Sequence, residues 1–338
     1  MNHSIISNTR GVASHPMEHC LIYAGLVLSF GFLTPEAAAQ VTPYQSAESM
    51  VVVDESGDAY EVVEESTKSE KSFSVSDIVA SYSFSSDADV ENGGKLGSVE
   101  VQHFDAQIGI SLPSPESWHF STELYYSRDE LKLTGTVPLP DHLQSLGFNF
   151  MAVKNLKEVF GEGWTAALIL NPSFSSDSGN FSGESFIFSA VATIGQQVNP
   201  DLSWQLGIMA ATEGTDLVLP VIAVRWEFVR DWSLLVGYPV TGISYELTED
   251  LSLTGGAIFH AGGTYHVTEA PVRNLNDTYL EYQEIRVGLR VDYKVYQNLY
   301  LQADGGMAIE RNFDYYDRGY ELDGDSAAYG RISIRYSF

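Results

Sequence analysis

Ala328-Tyr329-Gly330-Arg331-Ile332-Ser333-Ile334-Arg335-Tyr336-Ser337-Phe338 closes the chain. Read back from the terminus, Phe338, Tyr336, Ile334, Ile332 and Gly330 alternate with Ser337, Arg335, Ser333 and Arg331. A β-strand sends successive side chains to opposite faces, so the segment has one apolar face and one polar face. A half-buried edge strand of a soluble protein has the same period. This stretch adds a free carboxylate directly after an aromatic, and two arginines on the wet face.

That combination resembles the closing strand and C-terminal assembly signal of bacterial outer-membrane β-barrels, with Ile334, Tyr336 and Phe338 as the signal residues. The resemblance implies outer-membrane lipid and the barrel assembly machinery as partners. The chain upstream keeps the same period. Ile285, Val287, Leu289, Val291, Tyr293 and Val295 share one face, and Arg286, Gly288, Arg290, Asp292 and Lys294 the other. Leu299 to Ile309 repeats the pattern. A soluble sandwich alternates too, but many of these segments reach about 9–16 residues, beyond the common strand of about 5–6 and long enough to cross a tilted bilayer path. The fold expected is all-β: a transmembrane antiparallel up-and-down barrel of about fourteen strands. They are placed at 76–86, 98–112, 118–133, 143–153, 164–174, 185–197, 202–211, 219–229, 232–238, 241–248, 251–265, 280–295, 298–311 and 328–338. The pair around Tyr238-Pro239 is short, and proline cannot donate to a ladder; without that pair the expected number is about twelve.

Short turns recur. Asn199-Pro200-Asp201-Leu202-Ser203-Trp204, Arg230-Asp231-Trp232, Glu249-Asp250-Leu251, Gln297-Asn298-Leu299 and Pro115-Glu116-Ser117-Trp118 share one form. Asp and Asn close such turns with their own side chains, and the Trp or Leu that follows suits a membrane boundary. These are the expected periplasmic turns. The other connections, 87–97, 134–142, 175–184, 212–219, 268–279 and 312–327, are the expected extracellular loops.

Of 338 residues, 18 are Lys or Arg and 45 are Asp or Glu, a formal net charge of −27. Clustered positive charge for nucleic acid or anionic lipid is missing, so no nucleic-acid partner is expected. Residues 1–39 are expected to be a Sec-type signal peptide: Leu21 to Leu33 is an apolar core too short to span, and Ala37-Ala38-Ala39 precedes Gln40. Met17 is an alternative start. The single cysteine, Cys20, falls in this segment, outside any lipoprotein-like context, so neither disulfide nor lipid anchor is expected. Residues 40–73 form an acidic low-complexity segment, either a disordered periplasmic tail or an arm in which Met50 to Val53 adds as a strand. The barrel domain is expected over 74–338.

Arg230-Asp231-Trp232-Ser233-Leu234-Leu235-Val236-Gly237-Tyr238-Pro239-Val240-Thr241-Gly242-Ile243-Ser244-Tyr245, followed by Leu251-Ser252-Leu253, resembles a bacterial family of outer-membrane β-barrels catalogued as a domain of unknown function. The likeness runs over most of 74–338. It implies fold and location and supplies no catalytic residue.

The phase of the alternation puts Arg225, Glu227, Glu246, Arg286, Arg290, Asp292, Asp304, Arg331 and Arg335 on the inner face. Two readings stand for this set: a charged constriction that sets selectivity, and internal braces that pair because buried charges must. His119, Ser121 and Glu123 lie at i, i+2, i+4 of one strand, roughly 7 Å apart, too far for a catalytic triad. His103 and Asp105 have the same spacing. The acidic, tyrosine-rich stretch Asp314 to Asp325 lacks the spacing of a calcium loop and is read as solvated. No enzyme activity, cofactor or metal is expected. The function expected is a passive pore or small-solute channel. A closed barrel acting through its loops is the alternative, and a transporter of apolar molecules with residues 41–72 as a hatch is a further one.

Overall fold

The computed structural model describes residues 72–179, 181–212, 218–237 and 240–338. The expected signal peptide, Met17, Cys20 and the acidic segment up to residue 71 lie outside the described residues. The strands are β1 Ser74–Glu91, β2 Lys95–Leu112, β3 Trp118–Gly135, β4 His142–Asn155, β5 Trp164–Ser176, β6 Phe186–Asn199, β7 Leu202–Ala211 and β8 Val218–Val229. They continue as β9 Trp232–Gly237, β10 Val240–Thr248, β11 Leu251–Val267, β12 Thr278–Tyr296, β13 Leu299–Tyr315, β14 Tyr320–Gly324 and β15 Ala327–Ser337. Segments β14 and β15 both pair with β13 and with β1, so together they are one interrupted strand. The seam runs from Asp77 opposite Ser337 to Ser85 opposite Tyr329. The molecule is a closed antiparallel barrel of 14 strands. The short pair β9 and β10 is part of the wall, bonded to each other and to β8 and β11, so the count of twelve does not apply.

The burial pattern is inverted relative to a soluble fold. Ser81, Ser83, Ser85, Asp105, Asp129, Arg286 and Arg290 are buried, while Phe84, Phe104, Leu124, Phe148, Leu289 and Ile334 are exposed. An apolar face of this extent, all around a closed sheet, suits hydrocarbon and not water. Closure matters as much as composition, because an open edge would leave backbone groups unpaired in lipid. The five tryptophans, Trp118, Trp164, Trp204, Trp226 and Trp232, all lie on the outer face at the rim that carries the short turns. Trp164 meets Trp204 edge to face at 5.5 Å, and Trp232 stacks on Tyr245 at 4.5 Å. This is an interfacial aromatic girdle.

The opposite rim is uneven. Strand β10 pairs with β11 only up to Ile258, and β9 reaches only the level of Ala223 on β8. Strand β11 runs on past them, still paired with β12 as far as Val267 opposite Thr278, and pairs in parallel with β5 through His266 and Ser176. The Asp177 N–H bonds to the His266 carbonyl at 3.1 Å, and the Asp177 carboxylate accepts the N–H groups of Thr268 and Glu269. The bend needs two glycines. Gly263 has φ +139°, and a Cβ on Gly262 would sit 2.4 Å from the Tyr282 carbonyl oxygen. Gly262→Ala is therefore expected to destabilise the barrel by about 1–3 kcal/mol; urea midpoints of the folded-to-unfolded gel mobility shift measure it.

Beneath the crossing lies an apolar stopper. Val90, Val99, Leu131, Leu139, Leu143, Tyr265, Leu275, Leu280, Tyr282, Phe313, Tyr315 and Leu322 pack together, buried. Tyr282 stacks on Phe313 at 4.7 Å, and the Tyr315 hydroxyl donates to the Pro138 carbonyl at 2.7 Å. Here the structure differs from the sequence expectation. Segments 87–97 and 312–327, expected as loops, are largely strand: alternation continues through them, and Val90, Phe313, Tyr315 and Leu322 face inward to fill the mouth.

Candidate functional site: the barrel lumen

The inner face divides into two walls. One is charged and packed, built from β1, β2, β3, β12, β13 and β15. Along one hydrogen-bonded row, Arg290 faces Asp304, Asp304 faces Arg331, Arg331 faces Ser83, Ser83 faces His103, and His103 faces Asp129. Opposite charges thus face each other from Arg290 through Asp304 to Arg331 and again at His103 and Asp129, with Ser83 between the two sets. Arg331 also donates to Ser81 at 3.3 Å and lies 4.0 Å from Asp105. Asp292 accepts from Gln302 at 2.6 Å. Arg335 sits two inward-facing rows beyond Arg331 toward the short-turn rim, opposite Val79.

Two buried hubs hold this wall. His103 lies between two carboxylates: Nδ1 is 2.8 Å from Asp129 Oδ1 and Nε2 is 3.3 Å from Asp105 Oδ1. Asp105 is also bonded by Ser81. Asp129 in turn accepts from the Tyr265 hydroxyl at 3.2 Å, which ties the crossing strand β11 to β3. The second hub is Glu284. Its Oε1 accepts from Ser85 at 2.9 Å and Arg311 at 3.3 Å; its Oε2 accepts from Tyr282 at 2.6 Å and Arg286 at 3.3 Å. The side chains of Glu284 and Arg311 are 0% exposed. Arg286 also lies over the Tyr329 ring at 4.8 Å.

The other wall, centred on β8 to β10, is lined by smaller and less buried residues. Val221, Ala223, Arg225, Leu235, Gly242, Ser244 and Glu246 are on the inner face, yet each keeps partial exposure. That exposure is to the lumen itself. Arg225 lies 3.7 Å from Glu246, and Arg225, Glu227, Gln197 and Ser203 line a cleft at the short-turn rim.

The nine lumen residues expected from the sequence therefore fall into two groups. Arg286, Arg290, Asp292, Asp304, Arg331 and Arg335 are on the packed wall, and Arg225, Glu227 and Glu246 on the open one. His103, Asp105, Asp129, Glu284 and Arg311 join the first group and were not in the expected set. Glu284 is two residues before Arg286 and shares its phase, so alternation carried the signal. Arg311 did not: a bulge shifts β13 between Arg286↔Ala308 and Ile285↔Glu310, and one extra residue turns the following side chains to the other face. His119, Ser121 and Glu123 stay spread along β3, with Glu123 accepting from Asn149 at 3.0 Å. Ile334, Tyr336 and Phe338, expected from the sequence as an assembly signal, lie on the outer face, exposed.

Residues 67–322 match the model of a family described as a domain of unknown function (DUF6268). The chain belongs to that family. No curated protein matches the sequence. Among solved structures, an outer-membrane channel from Pseudomonas putida F1 is similar at 11% identity and TM-score 0.44, covering 78% of this chain and 96% of that one. The P. putida toluene transporter TodX is similar at 10% identity and TM-score 0.38, over 80% and 91% of the two chains. A KdgM porin, solved with disordered oligogalacturonate, is similar at 13% identity and TM-score 0.32, over 77% and 99%. In this DUF6268 barrel the split between a packed charged wall and a part-exposed small-residue wall rests on its own side chains.

Proposed function

We propose that the chain is a passive small-solute channel of the bacterial outer membrane, with its water path confined to the side of the lumen lined by β8 to β10. The observation that carries the reading is the contrast in burial between the two inner walls. On the packed wall Asp105, Asp129, Glu284 and Arg286 are no more than 3% exposed. Opposite them, Ala223, Leu235, Gly242 and Ser244 stay accessible. Charges locked in pairs brace a wall; small residues beside them leave room for water. Arg225, Glu227 and Glu246 are the charges that a passing ion would meet, and rings of such groups set selectivity. In this reading the N-terminal segment directs export, the C-terminal Ile334, Tyr336 and Phe338 engage the assembly machinery, the short-turn rim is periplasmic, and the fold does no chemistry.

The test is single-channel conductance of the purified chain in a planar bilayer. Discrete openings are expected. Ala223→Trp places an indole in the path and is expected to reduce conductance severalfold. Arg225→Ala is expected to leave the size of the openings nearly unchanged while shifting selectivity toward cations. The apolar stopper favours a second reading, a closed barrel acting through its loops. Electrical silence from folded, inserted protein would decide for it.

A further inference from the structure

The rim crossed by β11 brings together three side chains from distant parts of the chain. Glu184 comes from the 3-10 turn Gly183–Ser185 between β5 and β6, His266 from the end of β11, and Asp277 from the connection that leads into β12. The His266 Nε2 lies 3.1 Å from Asp277 Oδ1 and 3.9 Å from Glu184 Oε2. One donor atom from each residue falls within 4.8 Å of the other two.

Each backbone is held by contacts of its own. His266 is held by its pairing with Ser176 and by Asp177. Its ring lies edge-on to Tyr279 at 5.5 Å, and the Tyr279 hydroxyl donates to the Glu184 carbonyl at 2.8 Å. Arg318 donates to the Asp277 carbonyl at 2.9 Å. The imidazole is 6% exposed while the carboxylates are 70% and 79% exposed, so the nitrogen is set and the oxygens are free to adjust. Two carboxylates face one imidazole, and a hydrogen bond from the ring nitrogen satisfies only one of them. A divalent cation would engage all three. Ligand bonds of about 2.0–2.2 Å in a tetrahedron put donors about 3.4 Å apart, between the two separations seen. A nitrogen with two oxygens suits zinc and its transition-metal neighbours, whereas magnesium and calcium favour oxygen alone.

We propose that Glu184, His266 and Asp277 bind a zinc-class divalent cation, with water completing the coordination. The ion would link the β5–β6 connection, the crossing end of β11 and the approach to β12, and so fasten the stoppered rim. The test is zinc titration of the full chain purified from membranes in detergent, by calorimetry and by thermal unfolding with and without a chelator. One equivalent of zinc and a zinc-dependent rise in the unfolding midpoint are expected. His266→Gln is expected to weaken binding roughly tenfold or more, and Glu184→Gln, at an exposed position that folding does not depend on, to weaken it as well. Absence of saturable binding, or binding unchanged in both variants, overturns the proposal.

Discussion

Replacing Glu284 by alanine is expected to destabilise the barrel by about 3–5 kcal/mol, the range for breaking a buried ion pair by removing one partner. The carboxylate accepts four hydrogen bonds, from Ser85, Arg311, Tyr282 and Arg286. Removing it leaves two guanidinium groups at 0–3% exposure without their common anion. Water cannot reach them without opening the stopper above. Glu284→Gln keeps the shape and loses the charge, so it should fall between wild type and alanine. The double change Glu284→Leu with Arg311→Leu removes the central pair together and is expected to recover part of the loss. Arg225→Ala, which breaks a pair exposed at 20% and 43%, should cost under about 1 kcal/mol. Urea midpoints for the four proteins rank these outcomes; equal loss for Glu284→Ala and Arg225→Ala would contradict the assignment of Glu284 as a hub.

The second large effect concerns conductance. Leu139 and Leu275 are 0% and 2% exposed, and both sit on connections folded into the mouth. Leu139→Asp combined with Leu275→Asp puts two like charges into a dry apolar cluster, where each is strongly disfavoured. The connections at 136–141 and 268–277 are expected to swing out, since the strands below them are bonded on both sides. Single-channel conductance should rise severalfold, with gel mobility still reporting a folded barrel. Apolar constrictions close by excluding water, and charge re-wets them. Unchanged conductance would mean that the stopper does not obstruct the path that ions take.

Much of this architecture is legible in the sequence. Alternation with period two in long segments, and Trp or Leu after each Asn or Asp turn, locate the strands and the turn rim, because both patterns follow directly from the pleat and the membrane boundary. The short pair around residues 238–239 is the one place where the count was open, and ladder bonds on both sides of it answer the question. Three features are not legible. The bulge in β13 inverts the phase and hides Arg311. Segments 312–327 and 87–97 are acidic at their tips, which masks the buried Phe313, Leu322 and Val90 beneath. The crossing of β11 to β5 depends on a contact between His266 and Ser176, ninety positions apart, and no local period encodes such a pairing. The same holds for Glu184, His266 and Asp277, whose spacing matches no metal motif.

The stopper also has a consequence for the order of events in biogenesis. Its side chains come from the span between Val90 and Leu143 and the span between Tyr265 and Leu322, and among the described residues the cluster contains nothing from β6 to β10. These two spans are separated by more than a third of the chain and become neighbours when the first strand meets the last and β11 meets β5. Contacts between such remote parts form late, after the entropy of closing the intervening loop has been overcome. Completing the ring and corking its mouth are therefore a single step. Until that step an arriving barrel is a gaping intermediate, and afterwards its mouth is narrowed to the side that the cluster leaves free, so the membrane is spared a leaky product only if assembly runs to completion.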